Sequence, residues 1–200
     1  MIKAISLRQS DFMMKIDTSW SLFLDRDGVI NERIIGGYIQ EVSSFRFLDN
    51  VPEAIAILRK IFGHIFIVTN QQGIGKGMMT VDDLYHIHDY MEFQLSVKFD
   101  KIYYSPFLAE ENNMMRKPNP GMAIQAKKDF PKIDFSKSVM VGDSISDILF
   151  GKSVEMKTVY ISSEKKNVEA DLICPSLYDF AKVILVEQKY FPDSKTDMKC

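Results

Sequence analysis

The chain has 200 residues, 46% hydrophobic and 26% charged, which is enough for one domain with a real core and unlike a disordered segment. Its 25 basic and 27 acidic residues leave a net charge of −2, which argues against a nucleic-acid binder held by bulk charge. No apolar run approaches the roughly 20 residues of a membrane helix, and Cys174 and Cys200 make neither a disulfide framework nor a Cys-x-x-Cys metal site.

The first stretch carries Lys3, Arg8, Asp11, Lys15 and Asp17 with no apolar signal core, so the reading is a soluble, cytoplasmic protein. Residues 1–18 fit no strand–helix unit and read as an extension of unknown role. Residues 19–187 read as the domain and 188–200 as a polar tail. Ser21–Leu24 is a short apolar run ending in an acid, a first strand. Val51, Ala54, Ile55, Leu58, Ile61 and Phe62 recur at helical spacing, with Asp49 and Asn50 as candidate caps and Gly63 as the stop. Ile65–Thr69 is a buried strand rich in β-branched residues. Thr80 opens a helix with Asp83 three residues on, close to a capping box, and Leu84, Ile87, His88, Met91 and Leu95 form its apolar face. Lys101–Tyr104 is a third strand and Gly121–Phe130 a helix. Ser138–Val141 is a fourth strand, Ile145–Gly151 a short helix, Thr158–Ile161 a fifth strand and Leu177–Val186 a last helix. Repeated strand–helix units imply right-handed crossovers, a mainly parallel sheet and helices on both faces, a Rossmann-like three-layer α/β/α architecture.

In such sheets ligands sit at the carboxyl ends of the strands. The first strand ends Leu24-Asp25-Arg26-Asp27-Gly28 and the second Val68-Thr69-Asn70-Gln71. The third leads to Arg116-Lys117-Pro118, and the fourth ends Val141-Gly142-Asp143-Ser144 with Asp147 one turn on. One such placement means little; four point to a single site. Asp25, Asp27, Asp143 and Asp147 repel one another unless protonated or neutralised by a cation. All-oxygen ligands suit a hard ion that keeps some of its waters, which points to Mg²⁺. Thr69, Asn70, Lys117 and free backbone N–H groups add the donors and positive charge that a transferring phosphoryl group needs. A carboxylate can attack phosphorus to form an aspartyl-phosphate. A second, two residues away, can protonate the leaving oxygen and later take a proton from water.

Asp25-Arg26-Asp27-Gly28, Thr69, Lys117 and Gly142-Asp143-x-x-x-Asp147 resemble the four ordered motifs of the haloacid dehalogenase (HAD) superfamily of phosphatases. The longer strings 23–31, 68–77, 116–122 and 140–143 resemble the branch that holds the heptose 1,7-bisphosphate phosphatases and the histidinol-phosphatase domain. The resemblance covers about residues 20–185. It implies Asp25 as nucleophile and Mg²⁺ ligand, and Asp27 as general acid/base with its backbone carbonyl on the ion. Asp143 is the remaining metal carboxylate, supported by Asp147, while Thr69 and Lys117 hold the phosphoryl group. Arg26, Gly37, Tyr38, Asn70, Gln71, Gln72 and Arg116 are implied substrate contacts, with Gly37-Tyr38 in a flap after the first motif.

The chain departs from the branch at one place. Relatives carry Cys-x-His and then Cys-x-Cys before Arg-Lys-Pro, a zinc loop. Aligning on Arg116 puts Ser105, Phe107, Asn113 and Met115 there, and none is a plausible zinc ligand, so no zinc is expected. The stretches from Asp27 to Thr69 and from Thr69 to Lys117 are used up by helix, strand and loop, leaving no room for a separate cap domain. The resemblance therefore implies an open site covered by the flap and the 105–115 loop. Its substrate is a small phosphorylated metabolite, with removal of the C7 phosphate of heptose 1,7-bisphosphate leading and histidinol phosphate as the alternative. A monomer or weak dimer is expected, with no nucleic-acid or membrane partner. A non-catalytic binding protein on the same fold is the other class, and the presence of Asp25, Asp27, Lys117 and Asp143 weighs against it. Gly73–Gly77 read as a flexible entry to the next helix, His86 and His88 as unable to share a helix face, and Met114-Met115 as loop packing.

Overall fold

A computed structural model describes residues 13, 15–164 and 166–190, the side chains of 188–190 excepted. Six parallel strands form one sheet: β1 (Ser21–Leu24), β2 (His64–Asn70), β3 (Lys101–Ser105), β4 (Ser138–Gly142), β5 (Lys157–Ile161) and β6 (Leu172–Cys174). Their order is β3-β2-β1-β4-β5-β6, so the chain winds outward from β1 in one direction and then returns to its other side at β4. That reversal opens a crevice beyond the carboxyl ends of β1, β2 and β4, where ligands bind in sheets of this kind.

Helices connect the strands: α1 (Val51–Ile61), the single turn α2 (Gln72–Gly75), α3 (Val81–Leu95), α4 (Gly121–Asp129), α5 (Ile145–Ser153) and α6 (Leu177–Tyr190). Side chains alternate across a strand, and the two faces of β1 show it. Leu22 and Leu24 join one core with Ile65, Ile67, Val139, Val141 and the apolar faces of α1, α3 and α6. Phe23 joins the other with Phe66, Val68, Met140 and residues of α4 and α5. Every residue of β1 and β4 is buried, the pattern of a parallel sheet covered on both sides. Phe66 anchors the second core, with ring centroids 5.0 Å from Phe23 and 4.9 Å from Phe130. Such pairs contribute roughly 0.5–1.5 kcal/mol each beyond their burial.

The three-layer architecture expected from the sequence is the one observed, and no second lobe interrupts it among the described residues. Four details differ. Asn50 stands before α1 in the left-handed region, φ 59°, and its side chain makes no capping bond, since that backbone geometry turns it away from the orphan N–H groups. Part of Gly73–Gly77 is the helical turn α2, which sequence periodicity is too short to signal. The edge strand β6 was not read because its three residues carry no alternation of their own. The last helix, α6, runs on to Tyr190 rather than ending at Val186, and Met13 and Ile16, before β1, are buried in the first core. Cys174 lies in the core as expected; residues 191–200, with Cys200, and residues 1–12 and 14 lie outside the described part.

Candidate active site

Strand β1 delivers Asp25 to the crevice, its N–H bonded to the Val141 carbonyl of β4 at 2.9 Å. The carboxylate is almost wholly buried, at 4% exposure. Its Oδ1 accepts the Arg26 backbone N–H at 2.8 Å and lies 2.9 Å from Lys117 Nζ. Burial and the neighbouring Asp147 and Asp27 charges push its pKa up to about 7, against the downward pull of Lys117.

Lys117 is equally buried and is held at three points: Asp25 Oδ1, Asp147 Oδ1 at 2.6 Å and the Val68 carbonyl at 2.7 Å. Burial disfavours its charge, but the two carboxylates outweigh burial and raise its pKa. Asn70 fixes the Lys117 backbone from both sides, accepting its N–H at 3.0 Å and donating to its carbonyl at 3.1 Å. Asp147 has a second task at the start of α5. Its Oδ2 accepts the Ser144 N–H at 3.0 Å and the Ser144 hydroxyl at 2.6 Å, closing a capping box that ties the lysine's anchor to a helix end.

Asp27 faces a different set of donors. Arg26 donates to it through Nε at 3.3 Å and Nη2 at 3.0 Å, Asn31 Nδ2 at 2.8 Å and Gln71 Nε2 at 2.9 Å. Burial alone raises its pKa; the Arg26 charge and the bonds from Asn31, Arg26 and Gln71 prevail and hold it below the usual carboxylate range. Gln71 also donates to Thr69 Oγ1 at 2.9 Å, which ties the hydroxyl of β2 to the same network.

Asp143 stands beside Asp25 and Asp147. Ligand atoms of Asp25, Asp143 and Asp147 lie within 4.8 Å of one another. Burial raises the Asp143 pKa to about 6, against the pull of Arg33, whose Nη2 lies 3.1 Å from its Oδ1. Three all-oxygen carboxylates crowded this closely fit a hard divalent cation. Two glycines make the crowding possible. A Cβ on Gly28, whose φ is +93°, would come within 2.0 Å of Asp143 Oδ2, and a Cβ on Gly142 within 2.1 Å of the Asp147 Cβ.

Above these residues lies a cavity of about 240 Å³. Asp25, Asp27, Thr69 and Lys117 line it, and Gly37, Tyr38, Asn70, Gln71, Gln72 and Arg116 contribute walls. Tyr38 reaches across from the flap, its hydroxyl accepting Gln72 Nε2 at 2.8 Å. Arg116 donates to the Phe107 carbonyl at 3.0 Å, so the 105–115 loop supports the arginine rather than lining the cavity itself. Asn119 closes that loop with bonds to Asn112 and to the Asn113 carbonyl. Met114 is 56% exposed there, not packed.

Arg26 requires a correction. Its side chain is fully buried and turned onto Asp27 and His88, away from the cavity, because a chain this long following the buried Asp25 finds its partners inside. Gln71 reaches the wall, but its amide donors are spent on Asp27 and Thr69. Arg33, at the cavity, and Asn31 and His88, which bond Asp27 and Arg26, were missed. Arg33 Nη2 lies 3.1 Å from Asp143 Oδ1 and 4.0 Å from Asp25 Oδ2, though nothing in the flap sequence marks it. His88 carried a signal, a histidine within an apolar stripe.

Comparison with known proteins agrees with this geometry. The HAD-hydrolase-like family profile matches residues 114–180. The D-glycero-alpha-D-manno-heptose-1,7-bisphosphate 7-phosphatase of Mycobacterium bovis is 34% identical over 173 residues, spanning 82% of this chain and 91% of the relative. The chain belongs to the HAD-like phosphatase family. A beta-anomer 7-phosphatase of Pasteurella multocida is 36% identical over 179 residues, spanning 82% of this chain and 96% of its own. Among solved structures, the D,D-heptose 1,7-bisphosphate phosphatase of B. bronchiseptica, complexed with magnesium and phosphate, superposes with a TM-score of 0.74. It is 22% identical and covers 84% of this chain and 99% of that one, so it supports the fold of this HAD-like phosphatase. No helix among the described residues is long and apolar enough to cross a membrane.

Proposed function

We propose that this HAD-like phosphatase is Mg²⁺-dependent and removes the C7 phosphate of D-glycero-D-manno-heptose 1,7-bisphosphate through an aspartyl-phosphate. The observation that carries the reading is the floor of the cavity, where Lys117 sits between Asp25 and Asp147, with the Asp143 carboxylate close enough to both acids to share one cation with them. Asp25, Asp143 and the Asp27 carbonyl would hold the ion, with Asp147 behind them. When bound, it neutralises the carboxylates and polarises the phosphoryl oxygens.

Asp25 attacks phosphorus, and the bond from phosphorus to the sugar oxygen breaks. Asp27 gives a proton to that leaving oxygen. In the free protein Asp27 is ionised, and the arriving phosphate dianion, a like charge, favours its taking up the proton it will donate. Asp27 then takes a proton from the water that attacks the acyl phosphate, releasing inorganic phosphate and restoring Asp25. Lys117 and the Thr69 hydroxyl, oriented by Gln71, stabilise the charge spread over the phosphoryl oxygens.

The named relatives support the heptose, and two arginines at the cavity, Arg33 and Arg116, suit a second phosphate. Both anomers occur among the relatives' substrates, so both belong in the test. The 105–115 loop is closed by Asn119 and Asn113, which supports a site without zinc. A cytoplasmic monomer or weak dimer completes the proposal. The test is phosphate release with Mg²⁺ from both heptose 1,7-bisphosphate anomers, fructose 1,6-bisphosphate and histidinol phosphate, with Asp25→Asn alongside. Fast release from a heptose bisphosphate, lost in Asp25→Asn, is expected. Release from histidinol phosphate alone would overturn the substrate, and turnover surviving in Asp25→Asn would overturn the nucleophile.

A further inference from the structure

The most deeply buried cation of the site is one the reaction does not touch. Arg26 has no exposed surface, and its guanidinium is shared between two partners. Nε and Nη2 hold the Asp27 carboxylate, while Nη1 lies 3.2 Å from His88 Nε2 on α3. An arginine has donors only, so His88 Nε2 must be the acceptor, and the neutral ring carries its proton on Nδ1. Burial and the adjacent Arg26 charge both oppose a second proton, pushing the His88 pKa down to about 3. The ring is therefore a permanent acceptor across the working pH range. A buried guanidinium whose donors lack partners is costly, and it relaxes by rotating toward any acceptor it can find.

We infer that His88 is a positioning residue for the reaction: by occupying Arg26 Nη1 it locks the guanidinium in the orientation that aims Asp27 at the leaving oxygen. The inference rests on Asp27 being the proton donor proposed above. Asn31 and Gln71 hold the same carboxylate from other sides, so loss of His88 loosens Asp27 without freeing it. His88 is far enough from the cavity to touch no substrate, since it is 5% exposed and absent from the cavity wall.

The test uses the leaving group. An alkyl phosphate needs a proton on its departing oxygen, whereas p-nitrophenolate departs without one, so kcat/KM for the two esters separates proton donation from everything else. His88→Leu removes the acceptor and His88→Gln retains one. In His88→Leu, kcat/KM for the heptose bisphosphate should fall roughly 10–100-fold and that for p-nitrophenyl phosphate less than about 3-fold. His88→Gln should recover most of the loss, and thermal melting confirms that each variant is folded. Asp27→Asn, run beside them, should show the same asymmetry more strongly. Equal losses on both esters, wild-type rates in His88→Leu, or no recovery in His88→Gln while Asp27→Asn keeps its asymmetry would overturn the role of His88. An Asp27→Asn variant without the asymmetry would overturn the assignment of Asp27 and the positioning role with it.

Discussion

Arg33 Nη2 lies 3.1 Å from Asp143 Oδ1 and 4.0 Å from Asp25 Oδ2, so a flap side chain supplies positive charge where three carboxylates crowd together. Its side chain is 46% exposed, and exposed ion pairs contribute only about 0–1 kcal/mol. A divalent ion at those carboxylates competes with it. Arg33→Gln should therefore bind Mg²⁺ about 2–5-fold more tightly by isothermal titration calorimetry. Weaker binding would show instead that Arg33 supports the ion.

Mg²⁺ must also displace protons. Asp25 is raised to about 7 and Asp143 to about 6. A carboxylate raised in the folded state contributes stability below its unfolded pKa and loses it as pH rises through the folded one. His88, lowered to about 3, has the opposite sign below its ordinary 6.5 and adds nothing above it. Between pH 6.5 and 8 the metal-free protein should therefore lose melting temperature. The rise produced by Mg²⁺ should be larger at pH 8 than at pH 6; an equal rise at both would contradict the raised carboxylates.

Gly28 admits no side chain, because its φ is +93° and a Cβ would meet Asp143 Oδ2 at 2.0 Å. Gly28→Ala should displace Asp143 and weaken Mg²⁺ binding at least about tenfold, a size seen when groups that orient ligands are disturbed. Calorimetry on the folded variant reads this directly, and unchanged affinity would exclude Asp143 as a ligand.

Lys117→Met strands Asp25 and Asp147 without their buried counter-ion. A loss of about 3–5 kcal/mol in metal-free urea unfolding is expected, together with loss of turnover. A variant as stable as the parent would mean that Asp25 simply takes up a proton in compensation.

Ile16, 2% exposed in the first core, tests where the domain begins. Ile16→Ala should cost about 2–5 kcal/mol. A change below about 0.5 kcal/mol, the usual size for a surface position, would return this segment to the status of an extension.

Much of this was legible in the residues. Apolar spacing at 3.6 and 2 residues is local, so five of the six strands and the longer helices could be read from it; β6 and α2 are too short to show a period. The strand ends that carry Asp25, Thr69 and Asp143 were visible because a parallel sheet sends each strand's carboxyl end to one edge. Lys117 reaches the same edge from a loop, and only its motif marked it.

Partnership was not legible, because it depends on distances between residues far apart in the chain. That Arg26 turns inward to Asp27 and His88 rather than outward to substrate is decided by α3, which brings His88 Nε2 to 3.2 Å from Arg26 Nη1. That Arg33 folds back over Asp143 is decided by the path of the flap. Sequence alone determined which chemical groups gather at the crevice, since strand ends and motif order are one-dimensional. Only the tertiary structure decided which of them face the cavity and which hold the others in place, since a buried charge settles on whichever partner packing brings within about 3 Å.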